Sequence, residues 1–386
     1  MNREVTALAA VCLSLTAAAA QTHPHFHSSR AASVLENSAG HTHWETPPSL
    51  ACVYGLVADI VPGCPVNGTG ALPAGGSGII AIVNAFDYPP AEDDLNFFSR
   101  HFGIPVCNTA NPCFKKVSTT GTPPPVDSLW AANAAQEIEY AHAFAPQATI
   151  VLVEAANDTQ AELMKGVRLA NAIIASSPGG RGQIILPFGS PEFQNETSAD
   201  AFLSAPNVVY ISGNAGAPGF LEWPSVSPSV LSVGGTGVIR DSQGLFVEEV
   251  AANAWAGDIS MFEPRPAYQD AIQSIVQNSR GVPDVAFSAD IVHGAELLYD
   301  SVPFGDIVGW QFTGNVGFGE AVWAAIINVA GHNSSSTAEE LSLLYAEMGN
   351  ASSLRDITRG QGLGVRAKAG WDFVTGVGVP AGFSGK

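Results

Sequence analysis

Residues 138–155, IEYAHAFAPQATIVLVEA, carry a helical pattern straight into a short run, Ile150 to Val153, that is apolar at every position. A strand apolar on both faces belongs in a sheet covered on each side. The same signature recurs in GIIAIVNAF (78–86), QIILPFG (183–189), NVVYISG (207–213) and SVLSVGGT (229–236). Between these runs, apolar spacings of three and four predict helices over roughly 90–102, 128–145, 159–176 and 197–205. Strands alternating with helices give an α/β fold, a doubly wound, mostly parallel sheet with helices on both faces. Ligands of such sheets sit beyond the carboxyl ends of the strands, which here read NAFDYPP (84–90), VEAANDT (153–159), PFGSPEF (187–193), SGNAGAPG (212–219) and VGGTGV (233–238).

With 46% hydrophobic residues in 386, the chain has enough apolar material for one large core. Its 35 acidic and 16 basic residues give a formal charge of −19, which repels phosphate backbones and anionic membrane surfaces and argues against both as partners. Such an excess of carboxylates suits a secreted protein or one made for acidic surroundings. Residues 1–20 read as a signal peptide: Arg3, an apolar run from Val5 to Leu15, then small residues before Gln21. Because no later run reaches the roughly 18 apolar residues of a membrane span, a soluble, extracellular monomer is expected.

Cleavage removes Cys12 and leaves Cys52, Cys64, Cys107 and Cys113, an even set in an oxidising compartment. Bridges 52–64 and 107–113 are the simplest pairing, whereas zinc would need closer spacings than these. Sequons stand at Asn67, Asn157, Asn195, Asn333 and Asn350. Residues 21–48 have no period of 2 or 3.6 and carry His23, His25, His27, His41 and His43, so they read as a polar, solvated linker. A cluster of imidazoles there could instead bind copper or zinc. The folded domain is expected over 49–386.

Five stretches, GSGIIAIVNAFDYP (76–89), IEYAHAFAPQATIVLVEA (138–155), WPSVSPSVLSVGGT (223–236), RGVPDVAFSAD (280–290) and GWDFVTGVGVP (370–380), resemble the sedolisins in order and spacing. These are secreted serine-carboxyl peptidases of subtilisin-like fold. The family uses a Glu and an Asp four apart on one helix, an oxyanion-binding Asp at a strand end, and a Ser that opens a buried helix. The resemblance places Asn133 at the Glu, Glu137 at the helix Asp, Asn214 at the oxyanion acid and Gly317, in FTGNVGFGEAVWAAIIN (312–328), at the nucleophile. A carboxamide has no useful basicity and glycine has no Oγ. The strand ILPFG (185–189) also lacks the serines that line the family's cleft.

The resemblance further implies a structural calcium held by Asp356 and Asp372 and by the carbonyls of Ile357, Lys368 and Gly370, an all-oxygen set. The family's long propeptide has no counterpart between residue 21 and the domain. His101, His142, His293 and His332 stand in no Ser/His/Asp context, and His142 reads as structural. The expectation is a non-proteolytic homologue that binds peptide, protein or glycan in the former cleft. The alternatives are an acid endopeptidase with displaced catalytic residues and a metal-sequestering protein built on the histidine-containing linker.

Overall fold

The computed structural model describes residues 21–26, 44–66, 70–331 and 334–386, with the backbone alone of 30–31. The signal peptide, His27, His41, His43, His332, Asn67 and Asn333 lie outside these residues. Strands are numbered from the N-terminal β1, His23–Pro24. The central sheet contains β2 (Ile79–Ala85), β3 (Phe114–Ser118), β4 (Thr149–Ala155) and β5 (Gly182–Ile185). After β6 (Phe188–Pro191), which lies outside it, the sheet continues with β7 (Val208–Gly213). Beyond β8 (Glu222–Trp223), again outside it, come β9 (Val230–Arg240), β10 (Phe246–Ala251) and β11 (Val285–Ser288). The order is β10-β9-β7-β5-β2-β4-β3, with β11 beside the far half of β9. Every pairing is parallel except that of β10.

Period-two alternation divides the sheet between two cores. Ile80, Ile82, Ile150, Leu152, Ile211 and Val233 point into one; Ile79, Val83, Val151, Val153, Ile184 and Tyr210 point into the other. Helix α1 is Pro47–Val53 and α2 is Ala91–Phe102. The first core is filled by α3 (Ser128–Phe144) and the second by α4 (Gln160–Ser176). Two later helices, α5 (Gly317–Ala330) and α6 (Thr337–Ala346), join α3 on the first face. A hairpin of β12 (Glu296–Phe304) and β13 (Ile307–Thr313) lies against α2 and α3, where Tyr299 stacks on Phe97 at 4.1 Å.

Helix α3 positions the site, and its composition explains how. Asp127 caps it by accepting the Leu129 and Trp130 N–H groups, and every residue from Trp130 to Phe144 is buried. Its alanines let α5 and the sheet approach closely, so the polar residues it carries are forced into the interior. Arg280 and Asp284 form a fully buried pair, at 2.6 and 2.5 Å, whose carboxylate also accepts the Ser232 N–H and the Tyr345 hydroxyl. It ties the approach to β11 to β9 and α6. Cys52 is bonded to Cys64 and Cys107 to Cys113.

Burial pushes the Glu154 and Asp300 carboxyls up to about 7 and those of Glu196 and Glu263 up to about 8. In the unfolded chain such groups ionise near 4. Between those limits the unfolded state has fewer protons, so raising the pH favours unfolding and lowering it stabilises the fold. Calorimetric melting should therefore occur higher at pH 4.5 than at pH 8, by on the order of 5 °C. A midpoint that is flat or rises with pH would contradict this assignment of buried neutral acids.

Candidate functional site

Where α5 begins, its first residue touches the middle of α3. A Cβ on Gly317 would lie 2.0 Å from Gln136 Nε2, 2.6 Å from Glu137 Oε1 and 2.8 Å from Asn315 Oδ1. Those atoms belong to one network. The Asn315 amide donates to Gln136 Oε1 at 2.8 Å, Gln136 Nε2 donates to Glu137 Oε1 at 3.3 Å, and the Gly317 N–H donates to Asn315 Oδ1 at 2.8 Å. All four residues are buried, so amides occupy the volume that a side chain at 317 would need.

One turn further along α5, Glu320 is fully buried. It lies against Gly213 at the end of β7, where an added Cβ would come within 2.5 Å of Glu320 Oε1. Asn214 follows, 1% exposed, with neither side-chain Nδ2 nor Oδ1 partnered among the described residues. Asn133 is fully satisfied by comparison. Its amide donates to Asn84 Oδ1 at 3.0 Å and to the Pro187 carbonyl at 3.2 Å, and its oxygen accepts the Phe26 N–H at 3.2 Å.

That last bond reveals what lies in the cleft. Gln21 bridges to Thr159, the Thr22 N–H donates to Asp158 O at 3.0 Å, and β1 pairs antiparallel with β6, His23 opposite Gly189 and Pro24 opposite Phe188. The His25 N–H then donates to the Pro187 carbonyl at 3.1 Å. His23 Nε2 lies 2.9 Å from Glu222 Oε1, and His25 Nδ1 lies 2.5 Å from Glu320 Oε1. His25 and Phe26 are both 0% exposed. The described part, residues 21–26, of the segment read from sequence as a solvated linker is thus an added strand paired with β6, with His25 and Phe26 buried. Backbone pairing holds it, and that needs no side-chain period.

Burial, then the neighbouring Glu320, raises the Glu137 carboxyl far above the usual range, and burial raises Glu320 likewise. Burial also lowers His25 to about 3. Burial thus works against charge on both sides of the His25–Glu320 bond. His23 is raised instead, chiefly by its hydrogen bond to Glu222.

No family model matches the chain. Sedolisin of Pseudomonas sp. (strain 101) is 30% identical over 189 residues, which cover 44% of this chain and 31% of that protein. Kumamolisin of Bacillus sp. (strain MN-32) is 28% identical over 190 residues, 42% of this chain and 34% of that protein. The chain thus spans about a third of the length of these curated relatives. Among solved structures, Pseudomonas sedolisin complexed with pseudo-iodotyrostatin superposes with a TM-score of 0.67 at 18% identity, covering 88% of this chain and 96% of that one. The chain has a subtilisin-like fold of the kind seen in sedolisin. Sphericase superposes less well, with a TM-score of 0.51 at 14% identity over 86% of this chain and 96% of its own.

Of the four positions matched to the sedolisin machinery, Glu137 and Gly317 are brought into contact. Asn133 lies four residues before Glu137 on α3 and is joined through Phe26 and His25 to Glu320. Asn214 follows Gly213, which packs on Val316 and Glu320. Gln136, Asn315 and Glu320 were not singled out from sequence, and His25 was read only as one of the histidines of a solvated or metal-binding linker. The one available signal was Glu320, the single charged residue in the largely apolar helix 317–330.

The residues matched to the sedolisin calcium site also come together. Asp356 Oδ2 accepts the Gly370 N–H at 2.8 Å, and Asp372 accepts the Lys368, Val374 and Thr375 N–H groups at 2.9, 2.8 and 2.8 Å. Asp356 Oδ1 is buried with no partner among the described residues, and the Lys368 side chain is exposed. A spare buried carboxylate oxygen in an all-oxygen set fits a hard cation. Cys107, Cys113 and His142 also cluster, but the sulfurs are bonded to each other and His142 Nε2 lies 2.7 Å from the Pro105 carbonyl.

A serine placed at 317 has to displace the Gln136 amide. Gly317→Ser should cost about 1–3 kcal/mol, read as a lower urea midpoint with unchanged slope. An unaltered midpoint would mean that the pocket is looser than the geometry given above.

Proposed function

We propose that this chain is a secreted, non-proteolytic homologue of the sedolisins that uses the former substrate cleft to bind an extended peptide. The observation that carries this reading is Gly317: the position matched to the nucleophile has no side chain, and hydrogen-bonded amides fill the space one would occupy. Loss of the nucleophile in serine proteases costs about six orders of magnitude in turnover. Asn133, at the position matched to the base, has its oxygen committed to the Phe26 N–H and cannot take up a proton. A cleft able to pair with an extended strand along β6 keeps the capacity for peptide binding when the chemistry is gone.

One observation favours a second reading. Glu137 and Glu320 are neighbouring buried acids, each with a carboxyl oxygen that lacks a partner among the described residues. Two carboxyls sharing a proton can activate water, which would make the chain an acid endopeptidase with displaced chemistry. Both acids are 0% exposed, however, and His25 already engages Glu320 Oε1. Incubating the purified mature protein with denatured casein between pH 3 and 6 should yield no fragments above background. Cleavage that survives repurification and vanishes in Glu320→Gln would establish the second reading.

We also propose a structural calcium at Asp356, Ile357, Lys368, Gly370 and Asp372. A ligand that binds only the folded state stabilises it by mass action. Chelation should lower the melting temperature by on the order of 5 °C, and the Asp356→Ala, Asp372→Ala double variant should lose that sensitivity. An unmutated protein indifferent to chelator would exclude the site.

A further inference from the structure

We propose that the remodelled pocket is a histidine-recognition site for extended peptides, and that Gln21–Phe26 is its resident, displaceable ligand. This rests on the peptide-binding reading above and names the ligand class. The segment is held as peptides are held on a sheet edge: backbone pairing with β6 fixes the register, and pockets read individual side chains. His25 is read most closely. Its Nδ1 meets Glu320 at 2.5 Å, its Nε2 lies 4.0 Å from Glu222 Oε2, and the ring is wholly buried. Phe26 follows, with its N–H on Asn133 Oδ1 and its ring edge-on to Phe304 at 5.8 Å.

The pocket is specific for this mode in a way that a merely decayed active site need not be. A carboxylate at 133 could not donate to Asn84 and Pro187 as the amide does, so the residue at the family's base position now orients an acceptor toward the incoming peptide N–H. Gly189 is equally bound to the arrangement, since a Cβ there would collide with Glu222 Oε2 at 2.3 Å.

The fit of the resident segment is incomplete. His25 Nε2, Glu320 Oε2, Glu137 Oε2 and both polar atoms of Asn214 are buried without partners among the described residues. Unsatisfied buried polar groups cost free energy, and a ligand that supplied their partners would bind better. The segment compensates by being tethered, at an effective concentration in the millimolar range. An external peptide must therefore outcompete an imperfect but local strand.

The probe is a fluorescein-labelled peptide amide of sequence Gln-Thr-His-Pro-His-Phe, followed by polarisation on the full mature chain. A His25→Ala, Phe26→Ala variant empties the two side-chain pockets and weakens the segment's hold on β6, and it should bind the probe at least ten-fold tighter than the unmutated protein. A Gln21→Cys, Thr159→Cys variant, oxidised across the observed bridge, locks the segment in place and should bind at least ten-fold more weakly. A probe with Ala for its second His should lose most of its affinity for the freed variant. On the unmutated protein, millimolar unlabelled peptide should speed hydrogen exchange at the Thr22, His25 and Phe26 amides, a readout that needs no variant to fold. Equal affinities across the three forms, indifference to the His-to-Ala change, unchanged exchange, or a concentration-dependent dimer in which the segment is traded between copies would each overturn the proposal. Casein cleavage would refute the non-proteolytic reading and leave these binding results standing; uniform affinities would remove the histidine site and leave that reading untouched.

Discussion

The contact between Gly317 and the Gln136–Glu137 edge of α3 is the constraint on which the centre of this molecule depends. Two helices can meet this closely only if one has no side chain at the crossing, and the gain is a closed network of amides in place of a solvated cleft floor. Once α5 is seated there, Glu320, one turn on, must point at the strand ends and needs a polar partner. His25 of the N-terminal segment supplies it. The absent side chain, the buried acid and the plugged groove are therefore one arrangement.

The architecture was legible because it is written in periodicity. The apolar run Ile150 to Val153 lies inside strand β4, Thr149–Ala155, and the helix expected over 128–145 spans Ser128–Phe144. The run 183–189 is instead two short strands, since Pro187 cannot donate to a ladder and its carbonyl turns to serve His25 and Asn133. The helix expected at 197–205 is one α-turn, Glu196–Ala199, continued as a 3-10 turn, Asp200–Leu203. Strand β3, FKKVS, escaped notice because it is a half-exposed edge with charges in it.

The site was legible only in part. Residue types at 133, 137, 214 and 317 could be read against a family pattern, but the contacts around those positions could not. The added strand is two residues long and held by backbone, so no side-chain period marks it. Glu320 looks like any polar residue in a helix until both of its faces are seen to be covered. Buried acids recur throughout this chain, Glu137, Glu139, Glu296 and Glu320 among them, each raised chiefly by burial. The surroundings of these carboxyls favour the protonated form.

The central claim is that no side chain of the pocket, Glu137, Glu320 and His25 included, acts as a nucleophile in place of the hydroxyl that Gly317 lacks. Intact-mass spectrometry of the folded protein after exposure to a fluorophosphonate at pH 4 to 7 tests it most directly. The account predicts the unmodified mass, before and after raising the probe concentration. A stoichiometric adduct on one side chain, lost when the protein is denatured before exposure, would contradict it.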